Sequence, residues 1–295
     1  MTTSLYTPEQ AATVAAGLVG ADLGLAKMIS RDFEADFGGG SGSVVRVRVP
    51  GAVEASTRDS RDTSAPLVQS SVIEQTIPVT LDTMAYSSVP LAAGHYDLDL
   101  IDYSRQVLYP QAQAIQKYVE REIATAFQAT PVTAVKHDGT NPARTFTALR
   151  RKLRDNGVDS STPIFAAVGS EVYSQLLDGP VGSAGTTFDA DGKVRGIEVV
   201  ENTRLADNEI VAFVRPAFAL VVRAPRNPEG APWSASVRTD DFALTAIRAF
   251  ETGTASDRSI VQALVAVQAM PLAVDREDGT VDLVENGGAV RVLTS

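Results

Sequence analysis

The chain has 295 residues, 44% of them hydrophobic and 21% charged, which is ordinary for a globular protein with a sizeable core. Its 26 basic and 36 acidic side chains give a formal net charge of −10, which excludes a general electrostatic attraction for nucleic acid. The absence of cysteine and the presence of only two histidines, His95 and His137, exclude disulfides, cysteine nucleophiles and a histidine-rich metal site. No apolar run reaches the roughly 20 residues of a membrane-spanning helix and no secretion signal is recognisable, so we expect a soluble, cytoplasmic protein without a membrane partner.

The N-terminal segment, residues 7–37, has a helical pattern diluted by glycine. Thr7 and Gln10 form a capping-box pair around Pro8, which occupies the first helical position. Each internal glycine costs about 1 kcal/mol relative to alanine. The pattern therefore predicts a short or broken helix that needs a neighbour, followed by a glycine hinge at residues 38–42.

Two alternating stretches, residues 44–49 and 73–81, predict the strands of a long hairpin arm. Pro78 lies inside the second stretch and indicates an edge position. Residues 51–71 between them are rich in Ser, Thr, Asp and Arg and have almost no large apolar side chains. Because an isolated two-stranded ribbon is only marginally stable in water, we expect this arm to lie on another surface.

The longest helical pattern covers residues 99–129, with apolar side chains every three or four positions. Pro110 either begins the main helix or kinks it. A shorter helix is predicted at 145–156, with Thr145 as its cap and Asn156-Gly157 at its end.

From residue 163 onward, short strands and helices alternate. A helix with Ser170 as its cap is predicted at 170–177. The predicted strands are 164–168, 197–201, 209–214, 219–223, 237–241, 244–250 and 260–268. In the tail, strands at 280–284 and 289–293 flank Asn286-Gly287-Gly288, which is typical of a hairpin.

Catalytic motifs are incomplete in this sequence. Residues 189–192 resemble half of a calcium loop, but Lys193 stands at a ligand position, which favours a surface turn. His95 is a candidate general base, oriented by Asp97 or Asp99, although a lone histidine at a junction between elements is more often structural or solvated. We therefore predict a protein that is not an enzyme, with no catalytic residues, cofactor or metal.

Two charged clusters are candidates for contacts with other molecules. The shorter helix carries a basic group that suits nucleic acid or an acidic partner but is more simply a solvated face, since the chain is acidic. The members are Arg144, Arg150, Arg151, Lys152 and Arg154. At the arm tip, Arg58, Asp59, Arg61 and Asp62 present both signs of charge. This pattern suits self-complementary contact with a second copy, or an ordinary solvated tip, and both interpretations remain open.

The order of these elements resembles the major capsid (coat) protein family of tailed phages, the Hong Kong 97 fold. Arg46-Val47-Arg48-Val49-Pro50 and Val79-Thr80-Leu81-Asp82 are similar to the strands of its extended loop, and residues 102–110 are similar to the start of its spine helix. Residues 149–153, 164–168, 173–177 and 196–202 follow the order of its axial domain. The similarity covers about residues 5–270 and is nearest to the podovirus-coat-like branch from phages of actinobacteria.

The resemblance implies an α+β fold with a specific division of the chain. The implied parts are an N-terminal arm at 1–43, an extended loop at 44–92, a peripheral domain with the spine helix at 93–143, an axial domain at 144–225, returning peripheral strands at 226–270 and a C-terminal hairpin tail at 271–295. The implied function is self-assembly, through hexamers and pentamers, into the icosahedral shell of a virion that encloses double-stranded DNA.

The resemblance also implies partners and a location. Assembly is expected in the host cytoplasm with a separate scaffolding protein, since no fused scaffolding segment is recognisable. A portal, a decoration protein and weak, non-specific contact with the packaged DNA are further expected partners. Some relatives cross-link through a lysine of the extended loop, but residues 44–81 contain four arginines and no lysine, so a non-covalent shell is expected.

Three alternatives remain open at this point. The same fold serves encapsulins, which form bacterial compartments around cargo proteins. A tail-tube subunit would form tubes or rings, and the third alternative is a hydrolase or other enzyme that uses His95 and nearby acids.

Overall fold

The computed structural model describes residues 6–21, 23–34, 44–49, 57, 60–61, 75–91, 98–133, 135, 141–179, 187–240, 242–253, 256–275 and 281–294. The chain divides into two compact units. Unit 1 combines Met1–Val45, Val79–Ala129 and Phe218–Gln268. Unit 2 combines Arg46–Pro78, Thr130–Ala217 and Ala269–Ser295. Each unit is therefore built from segments that are distant in the sequence.

Unit 1 packs helices on one sheet. Its elements are α1 (Pro8–Ala21), β1 (Ser30–Glu34), β4 (Met84–Pro90), α2 (Leu100–Tyr103), α3 (Tyr109–Ala129), β9 (Phe218–Arg223), β10 (Trp233–Arg238), β11 (Ala243–Glu251) and β12 (Ser256–Ala269). The sheet order is β1-β9-β12-β11-β10, and β4 pairs antiparallel with β12. β10 and β11 form an antiparallel pair, and the strand predicted at 237–241 lies instead at Trp233–Arg238.

Helix α1 begins with the predicted capping box. The Thr7 amide donates to Gln10 Oε1 at 2.9 Å, and the Gln10 amide donates to Thr7 Oγ1 at 3.3 Å. The helical prediction for residues 7–37 is wrong beyond Ala21, because Leu25–Lys27 form one 3-10 turn and Ser30–Glu34 form β1. β1 pairs in parallel with β9, and this pairing outweighs the weak helical preference of a glycine-containing segment.

The long helical run extends from Leu100 to Ala129. The Asp99 side chain caps the start of this run by accepting the Asp102 amide at 2.8 Å. The apolar side chains that recur along the run are buried as their spacing predicts. Between α2 and α3, residues Ser104–Leu108 form a π-helical turn that leads directly to Pro110. Proline lacks the amide that would close a regular turn, so it locally widens the helix rather than beginning or ending it.

Unit 2 contains a five-stranded sheet in the order β15-β8-β5-β7-β6, with α4 and α5. Its elements are α4 (Pro142–Asp155), β5 (Ile164–Val168), α5 (Ser170–Asp178), β6 (Lys193–Val194), β7 (Ile197–Glu201), β8 (Glu209–Val214), β13 (Leu272–Asp275), β14 (Val281–Val284) and β15 (Ala289–Leu293). β5 is buried along its whole length and pairs with β7 in parallel and with β8 antiparallel. The unbroken apolar run at 164–168 is typical of such a central strand.

Two predicted helix starts are corrected by the structure. α4 begins at Pro142 after Asn141, and Thr145 is a buried residue inside the helix. Proline at the first turn needs no amide partner, which moves the start upstream. α5 is preceded by Gly169, whereas Ser170 is the first helical residue and donates to Asp207 Oδ1 at 3.0 Å. A Cβ at Gly169 would lie 2.0 Å from the Ala206 carbonyl oxygen, so no larger residue fits there.

The two tail strands do not pair with each other as predicted. β14 pairs with β13, and β15 pairs with β8 at the edge of the five-stranded sheet. A Cβ on Gly288 would lie 2.8 Å from Ala217 Cβ, so this glycine permits close packing as the chain leaves the β13–β14 hairpin. Long-range pairing with β8 thus overrides the local hairpin signal.

Candidate assembly surface

The predicted arm is present as a separate two-stranded sheet of β2 (Val44–Val49) and β3 (Gln75–Thr80). Arg46 and Pro78 are exposed, Val44, Val45 and Ile77 are half-buried, and Val79 near the end of β3 is buried. Apart from Val79, which belongs to unit 1, the described apolar side chains of the arm strands are therefore only partly buried. A two-stranded ribbon of this kind gains its stability from a surface that covers it.

The arm tip is described at few positions. Arg61 lies in an exposed turn, whereas Arg58, Asp59 and Asp62 lie outside the described residues. The self-complementary contact of these four side chains stays a prediction. His95 also lies outside the described residues, so the structure does not bear on the general-base hypothesis.

A second exposed feature lies on β4, a strand that the sequence patterns did not predict. Met84 and Tyr86 point to the same side of the strand and are 46% and 66% exposed, whereas Ala85 between them is buried. A groove of about 490 Å³ runs between this strand and α3. It is lined by Met84, Ala85, Tyr86, Ala114, Ile115, Lys117, Tyr118 and Arg121. The inward positions of β4 include Ala85 and Ser87. Because these side chains are small or polar, the alternation of apolar and polar residues that predicts a strand is weak here.

The elements around this groove are held by a buried polar network. Tyr103 donates to Ser259 Oγ at 2.9 Å, and Ser259 Oγ donates to Gln111 Oε1 at 2.9 Å. Gln111 Nε2 donates to the Ser87 carbonyl at 3.0 Å and to the Ser259 carbonyl at 2.8 Å. One glutamine of the long helix thereby links α3 to both β4 and β12.

Two tyrosines connect the N-terminal segment to the same network. The Tyr6 and Tyr103 rings stack with centroids 4.8 Å apart. Burial raises the pKa of Tyr6 above its ordinary value of 10.0, Tyr103 raises it further, and Arg248 acts in the opposite direction. Burial also raises the pKa of Tyr103, although the hydrogen bond with Ser259 partly offsets this. Both hydroxyls therefore stay protonated at neutral pH and serve as neutral hydrogen-bonding groups.

A buried carboxylate fixes the turn after α1. Glu120 of α3 accepts the Gly24 amide at 2.8 Å and the Leu25 amide at 3.2 Å. These amides open the 3-10 turn, and their bonds satisfy donors that the turn leaves unpaired. The buried Glu120 carboxylate therefore has a structural role, because it caps the start of this 3-10 turn.

The basic cluster of α4 is divided by the structure. Arg154 donates to the carbonyls of Ser160 and Thr162 at 3.0 and 3.1 Å, and Arg150 donates to the Arg195 carbonyl at 3.0 Å. Exposed Arg151 pairs with Asp155 at 3.6 Å. Arg150 and Arg154 thus hold backbone loops rather than presenting a uniform basic face.

Within the described ranges, no group of three or more His, Asp or Glu side chains is arranged to hold a metal ion. Across the same part of the chain, no helix combines the length and apolar character required to cross a membrane.

No protein-family model matches the sequence, and no curated protein matches it. Solved structures do share its fold. The capsid of Ralstonia phage GP4 matches with a TM-score of 0.54 and 8% identity over 91% of this chain and 87% of that chain. The capsid of the empty GTA particle matches with a TM-score of 0.53 and 10% identity, over 92% and 89%. The virus-like particle from Pyrococcus furiosus matches with a TM-score of 0.52 and 11% identity, over 96% and 98%.

These likenesses extend over nearly the whole of each chain, so the protein has the fold of viral-type shell subunits. Within that class, its fold is that of the phage major capsid proteins, as the resemblance implied. The predicted α+β fold class is confirmed.

Proposed function

We propose that this chain is the major capsid protein of a tailed phage and self-assembles into the icosahedral shell around its double-stranded DNA genome. The observation that carries the proposal is the arm of β2 and β3, whose described apolar side chains other than Val79 are only partly buried. The capsid fold over nearly the full chain supports it. An arm laid on a sister subunit gains the cover that its own strands lack.

In this proposal the two units take different places in the shell. Unit 1, with the long helix, is the peripheral domain, and unit 2, with the five-stranded sheet, is the axial domain of hexamers and pentamers. Stable interfaces commonly bury about 1,200–2,000 Å², and an arm adds such area without a larger core. Separate scaffolding, portal and decoration proteins complete the assembly in the host cytoplasm.

The net charge of −10 suits a container for packed DNA. A strongly basic inner surface would bind phosphates and slow both packaging and release. The contact with DNA is therefore weak and non-specific, and the subunit acts as a structural protein rather than an enzyme.

Expression of the chain alone and with its genomic neighbours tests the proposal. Electron microscopy should show closed shells, and particles from infected cells should contain phage DNA. Monomers that remain separate at high concentration, with the arm folded on their own body, would contradict it. Replacement of His95 by Ala should leave assembly intact, and loss of a measurable catalytic activity in that variant would favour an enzyme.

A compartment shell around cargo proteins is the second candidate, because a virus-like particle shares the fold. The content of purified shells distinguishes the two, since a cargo enzyme in place of genomic DNA indicates a compartment. Open tubes or rings would instead indicate a tail component.

A further inference from the structure

The groove between β4 and α3 has an open strand edge along one side. In the described part of the chain, β4 pairs with β12 along one edge and with no strand along the other. Met84, Ala85 and Tyr86 of this strand line the groove. An unpaired edge offers backbone donors and acceptors to an extended peptide, which can add as a further strand.

The opposite wall of the groove is positively charged. Lys117 and Arg121 lie one turn apart on α3 and are both exposed. Neither forms an ion pair with a carboxylate of the described residues, and no acidic residue lines the groove. Glu122 and Asp82 lie near Tyr118, which also lines the groove, and together with burial they raise the pKa of its hydroxyl. The acidic groups of a ligand are therefore expected beside Lys117 and Arg121.

We propose that this groove binds an extended acidic peptide of a partner protein, which adds to the edge of β4 and places carboxylates beside Lys117 and Arg121. Met84 and Tyr86 supply apolar contact for the alternate side chains of that peptide. Edge pairing provides affinity for any extended chain, and the two positive charges select the acidic one.

The charge pattern distinguishes this occupant from the arm of a second copy. β2 reads Val44-Val45-Arg46-Val47-Arg48-Val49 and has no acidic residue. Adding β2 to the groove would bring its arginines towards Lys117 and Arg121, and such like-charge contacts are unfavourable. The proposed occupant is therefore a peptide of a different protein rather than strand β2 of a second copy.

The test uses the full chain and two fluorescent probe peptides, one of alternating glutamate and valine and one with lysine in place of glutamate. Fluorescence anisotropy should show binding of the acidic peptide only, weakening as NaCl rises from about 0.05 to about 0.5 M. The double variant Lys117→Glu/Arg121→Glu should bind it about tenfold or more weakly. Tyr86→Ala should also weaken binding, because it removes the apolar wall. The control Arg151→Glu/Lys152→Glu makes the same charge change on exposed positions of α4 and should bind normally.

Assembly is measured separately on the same variants by electron microscopy. Lys117→Glu/Arg121→Glu should form the same particles as the parent chain, which separates this proposal from the proposed function. Unchanged binding of the acidic peptide by that variant, or equal binding of both probes, would overturn the proposal. Loss of assembly in that variant but not in the α4 control would overturn it too, since the groove would then receive a second copy.

Discussion

Arg291 Nε of β15 donates to Glu209 Oε1 of β8 at 2.5 Å, and the Glu209 side chain is completely buried. The second oxygen of that carboxylate accepts the Ala206 amide at 3.1 Å. The C-terminal strand therefore provides the charge that accompanies a buried acid in the five-stranded sheet. It is an integral part of unit 2 rather than an appended tail.

Replacement of Arg291 by Met should destabilise unit 2. Removing one partner of a buried ion pair costs about 3–5 kcal/mol, because the remaining charge stays in a poorly solvated place. Urea unfolding of the unassembled subunit measures this loss. Arg151→Met is the matched control, since the Arg151–Asp155 pair is exposed and contributes about 0–1 kcal/mol. Equal stability of the two variants would show that the Glu209 pair is not energetically important.

Gln111→Ala should lower the free energy of unfolding by about 2–4 kcal/mol. The substitution removes the central side chain of the network and leaves the Ser87 and Ser259 carbonyls without their hydrogen-bond donor. Thermal and urea unfolding measure the effect. Gln113→Ala on the same helix is the control, since its hydrogen bond to the Tyr109 hydroxyl is exposed. We expect that control to stay within about 0.5 kcal/mol of the parent chain.

The stability of unit 1 should fall as the pH rises above about 10. Tyr6 and Tyr103 have raised pKa values in the folded chain, whereas unfolding returns them to about 10.0. Above that pH the unfolded chain releases protons that the folded chain retains, which favours unfolding by up to about 1.4 kcal/mol per pH unit for each tyrosine. Below pH 10 this contribution is fully present.

Urea titrations between pH 8 and about 11 test this dependence. Tyr6→Phe retains an aromatic ring beside Tyr103 and removes one titrating hydroxyl, so the decline should be shallower than in the parent chain. An identical slope in both chains would contradict the role of Tyr6.

The arm tip offers a charge-swap test of the proposed shell. Arg58→Asp/Arg61→Asp makes the tip wholly acidic, and copies should repel one another and assemble poorly. Adding Asp59→Arg and Asp62→Arg restores both signs in swapped positions and should restore assembly. Light scattering and microscopy report the result, and unchanged assembly by the acidic tip would indicate an ordinary solvated loop.

The proposed shell should be held by non-covalent contacts alone. The arm region 44–81 has no lysine to form an isopeptide bond, so boiled shells should run as a single band near 31.1 kDa on denaturing gels. Ladders of subunit multiples that persist after boiling would show covalent links.

Local sequence patterns predicted the elements whose bounds are set by residues adjacent in the chain. The helical run from Leu100 begins after the Asp99 cap and buries its periodic apolar side chains. The strands Ile164–Val168, Ile197–Glu201 and Glu209–Val214 have the predicted bounds because continuous or alternating apolar residues define them. The arm strand Val44–Val49 was equally clear from its Val-Arg alternation.

By itself, the sequence determined the capping box of α1, the long helical run, the buried strands and an arm too polar to form a core, since each depends on residues adjacent in the chain. Only the tertiary structure decided that residues 30–34 form a strand, that β15 leaves its expected hairpin for β8, and that β4 and α3 enclose a groove. Those outcomes depend on hydrogen-bond partners and packing surfaces far away in the sequence, and local periodicity contains no information about which distant strand offers the better edge.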